Sequence, residues 1–298
     1  MARTRFAPDR GLTRRMGLTI FLIGLLYVVF VGVLIAAFGK AWPLILVLAG
    51  GLFFAQFWFS DRIAAYSMGA REVTPEQAPE LHGAVDRLCA LADMPKPRVA
   101  IADTDVPNAF ATGRSQQKSL VCATTGLLRR LEKDELEGVL AHELSHVAHR
   151  DVAVMTVAAF LGVLAGLITR IALFSGLTRG GRNNNNVLFL LIPLVSAVVY
   201  VISFLLTRLL SRYRELSADR TGALLTGRPS ALASALTKVS GQMARIPTRD
   251  LRRAEPFNAF YFAPALSGDG LSRLFSSHPT LEQRLDRLGR LSQELGRP

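Results

Sequence analysis

The sequence predicts a mainly helical membrane protein with an α+β domain outside the bilayer. Half of the 298 residues are hydrophobic and only 19% are charged, whereas ordinary soluble domains are about 25% charged. Long apolar stretches alternate with two longer charged segments, which are large enough together to form one core. The composition also excludes an intrinsically disordered chain. Because there are only two cysteines, a disulfide framework and a cysteine-rich zinc module are excluded as well.

Four apolar stretches, interrupted only by Arg170, are long enough to cross a bilayer, which takes about 17–25 residues. These stretches cover residues 17–38, 41–59, 152–174 and 187–207. A buried core helix is the alternative for each, but four such helices are hard to bury without lipid in a chain of this size. The first stretch follows Arg14 and Arg15, as in a signal peptide. Its apolar run exceeds the roughly 7–15 residues of a signal-peptide core, so we expect a retained helical hairpin.

Lysine and arginine residues concentrate on one side of the predicted spans. Both termini and the segment between the second and third spans carry most of them. Cytoplasmic loops are enriched in these residues, so these parts are predicted to be cytoplasmic. This topology largely explains the net charge of +12. Nucleic acid is not an expected partner, because the sequence lacks the basic and aromatic patch of single-strand binders.

The spans divide the chain into successive parts with different expected roles. These are a basic N-terminus (1–16), a transmembrane hairpin (17–59), a first domain segment (60–151), a second hairpin (152–207) with an external loop (175–186), and a second domain segment (208–298). Within the domain we predict helices over 75–94, 133–151, 211–225, 230–243 and 280–291, and strands over 99–102 and 120–123. The aromatic stretch 256–266 is expected to be a loop at the membrane surface or over the cleft.

Residues His142 to His146 form an H-E-x-x-H motif on the helix predicted over 133–151. Residues four apart lie on nearly the same helix face, so two imidazoles can bind one metal ion. Glu143 lies beside that ion, where it can take a proton from bound water. The alternative is a pair of surface histidines, although random placement gives the motif in roughly 0.3% of such chains. The motif therefore predicts one Zn²⁺ per chain.

A hydrolytic zinc site needs a third protein ligand, and Glu215 is our preferred candidate. If the motif helix and the fourth span both continue out of the membrane, His146 and Glu215 stand about 9 and 12 Å above the interface. Asp219, one turn further, would accept a hydrogen bond from a ligating imidazole. An ordinary charged helix face is the alternative for both acids. His149 is a second candidate ligand, but one straight helix places three ligands poorly; otherwise it faces solvent.

Several segments together resemble the HtpX-type membrane metallopeptidases, which are relatives of the type I CAAX prenyl endopeptidases. They are the HELSH motif followed by Arg150 and Asp151, the NAFATG segment at 108–113, the RELSAD segment at 214–219, and His278 before Pro279. The resemblance covers nearly the whole chain. It implies a zinc endopeptidase of the bacterial cytoplasmic membrane with a zincin-like catalytic domain. It also implies a stress-response role in quality control, with unfolded or membrane proteins as substrates.

The resemblance further implies roles for individual residues. It places three residues of the NAFATG segment at the substrate: Asn108, Ala109 and Phe110. An edge strand there would hold an extended peptide through main-chain hydrogen bonds, although a turn is the alternative. His278 would join Glu143 as a catalytic residue by stabilising the oxyanion, or else be structural. Arg284 would orient a carboxylate such as Asp219.

Two other functions remain open. One is a CAAX-type protease that trims a defined class of protein tails. The other is a metal-binding membrane scaffold or chaperone without turnover, which Glu143 disfavours because a binding site does not need that carboxylate. We also expect His82 at the surface and Cys89 and Cys122 as packed, reduced thiols. The oligomeric state is left open.

Overall fold

The computed structural model describes residues 9–38, 42–178, 187–243 and 276–296. The helices are α1 (Arg10–Phe38), α2 (Trp42–Ser67), α3 (Pro79–Ala92), α4 (Thr125–Leu128), α5 (Lys133–Ala148), α6 (Asp151–Thr178), α7 (Val187–Thr226), α8 (Pro229–Met243) and α9 (Leu281–Glu294). The strands are β1 (Ala70–Glu72), β2 (Arg98–Ala102), β3 (Ala109–Gly113) and β4 (Ser119–Thr124). The aromatic stretch 256–266 and most of the loop predicted over 175–186 lie outside the described residues.

Three of the described helices are long and apolar enough to cross a membrane. Their apolar stretches are Arg10–Ala36 in α1, Asp151–Ile171 in α6 and Leu191–Thr226 in α7. Many large apolar side chains on these helices are exposed, as lipid contact requires; Phe21 is 64% exposed and Leu194 is 60% exposed. The second predicted span, over 41–59, falls on α2, whose apolar stretch Val47–Phe59 is shorter. The count of four spans is therefore not confirmed.

The strands form one mixed sheet in the order β1-β2-β4-β3. Strands β2 and β4 are parallel, and β3 pairs antiparallel with β4, with Phe110 opposite Cys122. The NAFATG segment is therefore an edge strand and not a turn. Gly113 ends β3 with a φ of +141°, and a Cβ atom there would lie 2.5 Å from the Lys118 carbonyl oxygen. Glycine has no Cβ and allows the chain to turn at this point.

One hydrophobic core joins the sheet to α3, α5, α8 and α9. It includes Leu88, Val121, Leu140, Leu236 and Leu288, all at most 2% exposed. Apolar residues from before and after the α6–α7 pair thus pack in the same core. This core fixes the position of α5, which carries the H-E-x-x-H motif.

The helix predicted over 133–151 ends earlier than expected. Helix α5 stops at Ala148, Arg150 has a φ of +55°, and α6 begins at Asp151. The assumption that the motif helix runs straight on into the third span is therefore wrong. The sequence offers no glycine or proline at this break, so local composition does not reveal it.

Helix α3 also differs from its prediction, because it begins at Pro79 and not at Pro75. The expectation that His82 lies at the surface is wrong: the side chain is buried, and its Nε2 lies 2.9 Å from the Val73 carbonyl oxygen. This contact gives the buried imidazole one hydrogen-bond partner, as buried polar groups require. Cys89 and Cys122 are buried, free thiols, as predicted.

Candidate metal centre

Helix α5 supplies two histidines on one buried face. A capping box holds its first turn, in which the Glu132 N–H donates to the Glu135 carboxylate over 2.9 Å. One turn separates His142 from His146, and their Nε2 atoms lie 3.2 Å apart. His142 is 1% exposed. The two nitrogens thus converge on one point beside the helix.

Helix α7 brings Glu215 to the same point. Its Oε1 lies 3.3 Å from His146 Nε2, and its Oε2 lies 3.7 Å from His142 Nε2. The three ligand atoms lie within 4.8 Å of one another. Tetrahedral zinc with ligands at about 2.0–2.2 Å requires donor atoms about 3.3 Å apart. The spacing and the set of donors, two nitrogens and one oxygen, therefore fit a hydrolytic zinc site. The other candidate ligand, His149, is exposed and lies outside this cluster.

A carboxylate lies behind the ring of His142. The Nδ1 atom of His142 is 2.9 Å from Asp219 Oδ1. Arg284 binds the same carboxylate in a bidentate manner, with its Nε 2.8 Å and its terminal nitrogen 2.6 Å from the two oxygens. All three side chains are nearly fully buried. Such an arrangement orients an imidazole for a metal, and the structure thus brings Arg284 to Asp219.

A second carboxylate, which sequence reasoning did not assign to the site, lies behind the other histidine. Asp151 Oδ2 is 2.6 Å from His146 Nδ1, and Arg214 forms an ion pair with Asp151. In the sequence, Asp151 stands out only as one of the residues that follow the HELSH segment. Asp151 reaches His146 because the helix is interrupted at Arg150. Nothing in the sequence pattern indicates this interruption.

Glu143 is 4% exposed and faces the same cavity as the ligands. Burial raises its pKa to about 8; the nearby Glu215 carboxylate adds to this, whereas His146 and Arg284 lower it. The Ala111 backbone N–H also donates to this carboxylate. Strand β3 therefore contacts the predicted catalytic base directly.

The pKa values of the two histidines are shifted in opposite directions, although burial lowers both. It lowers the pKa of His142, although the nearby Asp219 and Glu215 raise it in part. In His146 the effect of burial is outweighed by a hydrogen bond and charge from Glu215 and by the charge of Glu143, so its pKa is raised. A neutral imidazole is the form that ligates a metal.

The remaining predicted residues lie at different distances from this centre. His278 Nδ1 is 3.0 Å from Glu215 Oε2, and His278 also lines the cavity. Phe110 lines the cavity too. Asn108 and Ala109 are buried, at 1% and 0% exposed, and are not among the described residues that line it. The Asn108 N–H instead donates to Thr124 Oγ1 over 2.9 Å.

Known proteins are similar to this chain over nearly its whole length. The model of Peptidase family M48 matches residues 75–292, which include every residue of the candidate centre. The chain belongs to peptidase family M48. Protease HtpX homolog 1 of Streptomyces coelicolor is 64% identical over 99% of this chain and 97% of its own length. Protease HtpX homolog of Moorella thermoacetica is 52% identical over 98% of each chain. The resemblance to HtpX-type peptidases is thus confirmed.

A solved structure supports the same fold. The crystal structure of S. mikatae Ste24p matches with a TM-score of 0.56 and 19% sequence identity. The match covers 89% of this chain and 62% of that chain. Family membership, the named relatives and the apolar helices make this chain a membrane-bound metallopeptidase.

The centre of this M48 peptidase opens into a cavity of about 1000 Å³. The motif residues and Glu215 line one end. Residues of α2, α6 and α7 line the remainder. Many of them are apolar, such as Leu52 on α2, Val163 and Leu167 on α6, and Val201 and Phe204 on α7, and Gln56, Arg170 and Arg208 line it as well. The cavity therefore connects the polar centre with the part of the molecule that faces lipid.

Proposed function

We propose that this M48 peptidase is a zinc endopeptidase that hydrolyses peptide bonds with water. His142, His146 and Glu215 hold one zinc ion per chain, and Glu143 is the general base. The convergence of the three ligand atoms beside the buried Glu143 carboxylate supports this proposal most strongly. A zinc ion held by these residues would supply an acidified water, with a pKa of about 7.

The chain's own residues then move the proton and position the peptide. The Glu143 carboxylate accepts the proton of the attacking water and passes it to the leaving amine nitrogen. The hydrogen bond from the Ala111 N–H keeps that carboxylate in place. His278 lines the same cavity, and we assign it to stabilising the oxyanion on the scissile carbonyl. The Asp219 and Arg284 pair orients His142.

Edge strand β3 is the proposed binding edge for an extended peptide. Phe110, Ala111 and Thr112 line the cavity, and an edge strand offers unpaired main-chain groups to a further strand. An unfolded segment fits this mode, because its own main-chain groups are free. The apolar end of the cavity suits segments of membrane proteins, in keeping with a role in the quality control of damaged membrane proteins.

The placement of basic residues supports a cytoplasmic catalytic domain in the cytoplasmic membrane. In this assignment the segments 60–151 and 208–298 form that domain jointly. Their residues share one core. The second span over 41–59 completes the proposed set of four.

The experiment compares cleavage of an unfolded model protein by detergent-purified wild type, Glu143→Gln and Glu137→Gln with added zinc. Glu137 lies on the same helix and pairs with Arg87 at its outer side, so it is a matched control. We expect cleavage by wild type and Glu137→Gln and a loss of about 10²–10⁴-fold in Glu143→Gln. Equal cleavage by Glu143→Gln would contradict the assignment of the base. Cleavage confined to one class of protein tail would favour CAAX-type processing.

A further inference from the structure

The two metal-binding histidines are supported in the same way, but by different parts of the chain. Behind His142, Asp219 lies on α7 and its partner Arg284 lies on α9. Behind His146, the carboxylate is Asp151, the first residue of membrane helix α6. The second support thus comes from a membrane helix itself.

The break between α5 and α6 makes the Asp151 contact possible. In a continuous helix, a residue five positions after His146 would lie about 140° further round the axis, away from the ligand face. Instead, the Arg150 N–H donates to the Val147 carbonyl oxygen over 3.1 Å, and Arg150 takes a left-handed conformation. The chain therefore turns, and Asp151 returns to within 2.6 Å of the His146 ring.

A buried carboxylate needs a compensating charge, and Arg214 supplies it. Asp151 is 7% exposed and Arg214 is 5% exposed. An unpaired buried ion is strongly unfavourable, so their ion pair allows Asp151 to stay charged beside the histidine. Arg214 directly precedes Glu215 on α7. One turn of α7 therefore carries both the anchor for Asp151 and the third metal ligand.

We infer that Asp151 is a positioning residue for His146 and that Arg214 acts through it. The carboxylate accepts the Nδ1–H of His146, which leaves the Nε2 lone pair directed at the metal position. The start of α6 and the neighbouring turn of α7 thereby fix His146 relative to Glu215. This inference rests on the proposed zinc site.

The test measures the zinc dissociation constant of the full-length protein in detergent, by competition with a fluorescent chelator. Loss of such a supporting carboxylate weakens metal binding by about 10–100-fold, and we expect this for Asp151→Ala. Asp151→Asn should lose less, because its amide oxygen still accepts the Nδ1–H without the negative charge. The control Asp105→Asn changes an exposed aspartate that pairs with Arg129 and should bind zinc as the wild type does.

A double-mutant cycle separates positioning from general stability. If Arg214 acts through Asp151, the effects of Asp151→Asn and Arg214→Met on zinc affinity will not add. Additive losses, or zinc affinity of folded Asp151→Ala within about twofold of wild type, would overturn the inference. If Asp151→Ala does not fold, Asp151→Asn and the double variant, which removes both buried charges, supply the same comparison.

The same titrations distinguish this inference from the zinc site itself. Wild type should bind zinc, and His142→Ala should not. Failure of that pair would contradict the proposed function. Normal zinc binding by wild type together with unchanged affinity in the Asp151 variants would contradict the positioning role alone.

Discussion

Helices α5 and α7 both bring ligands to the candidate centre, but different surroundings hold them. Ten of the 16 residues of α5 are buried, and its neighbours are α3, α8, strand β3 and the second half of α7. Helix α7 has 40 residues. Its first half exposes large apolar side chains such as Leu194 and Val198, and its second half is buried around Ala218 and Asp219.

This difference shows how the centre is divided. Helix α5, which carries the histidines and Glu143, packs in the core that includes the sheet. Glu215 instead takes its position from α7, whose first half exposes apolar side chains. The site exists only where the two helices meet. Variants in each helix should therefore affect different properties, and the following predictions use that contrast.

Replacing one carboxylate on each helix by an amide should separate zinc binding from peptide hydrolysis. Glu215→Gln on α7 should lose zinc affinity by more than the roughly 10–100-fold that loss of an outer supporting residue costs, and proteolysis should fall with it. Glu143→Gln on α5 should lose proteolysis and keep zinc. Zinc titration and cleavage assays on the same preparations test this. Zinc binding by Glu215→Gln equal to wild type would remove Glu215 from the ligand set.

Truncating a leucine should matter in the core and not on the lipid-facing half of α7. Leu236 on α8 is 0% exposed in the core that holds α5, and Leu236→Ala should cost about 2–5 kcal/mol of unfolding free energy. Leu194 is 60% exposed on α7, so Leu194→Ala should change stability by about 0.5 kcal/mol or less. Thermal unfolding in detergent measures both. Equal losses would contradict the division between the two regions.

The contact between the two helices requires a glycine. A Cβ atom on Gly222 of α7 would lie 2.8 Å from the His142 backbone nitrogen on α5. Gly222→Ala should therefore push the helices apart, cost about 1–3 kcal/mol and weaken zinc binding. Gly241 has no atom within 4 Å of its Cβ position, so Gly241→Ala should leave zinc binding unchanged. Unaltered zinc affinity in Gly222→Ala would show that the metal centre does not depend on the close approach of α7 to α5.

Sequence reasoning succeeded where local patterns determine the structure. The spacing of the H-E-x-x-H motif fixes two side chains on one helix face, so the convergence of His142 and His146 follows from geometry. Short apolar runs were enough to predict β2 and β4. The helix predicted over 280–291 is α9, and Thr280 caps it with its hydroxyl accepting from the Gln283 N–H.

Features that depend on tertiary contacts were harder to predict from the sequence. His82 is buried because a carbonyl from a preceding loop reaches its ring, which composition does not reveal. The break at Arg150 places a non-glycine residue in a left-handed conformation. Because the straight-helix assumption hid this break, the role of Asp151 was missed. The distance from the predicted membrane surface led to Glu215, and its carboxylate does lie beside the two histidines. The helix that bears His146 nevertheless does not run straight into the membrane, as that estimate assumed.

A further prediction concerns the pH dependence of the zinc-free protein. The pKa of Glu143 rises from its ordinary value of 4.5 to about 8 through burial. Between these values the folded chain keeps a proton that the unfolded chain releases, so this residue's contribution to stability is lost as the pH rises. Zinc-free Glu143→Gln should therefore gain in unfolding temperature over wild type from pH 5 to pH 8. A difference that is constant with pH would contradict this environment for Glu143.

The most direct measurement locates the metal itself. Anomalous diffraction at the zinc edge from crystals of the zinc-loaded protein would show where the ion binds. We expect one strong peak about 2.0–2.2 Å from His142 Nε2, His146 Nε2 and a Glu215 oxygen. A peak that involves His149 in place of Glu215, or no peak beside the motif, would contradict the proposed centre.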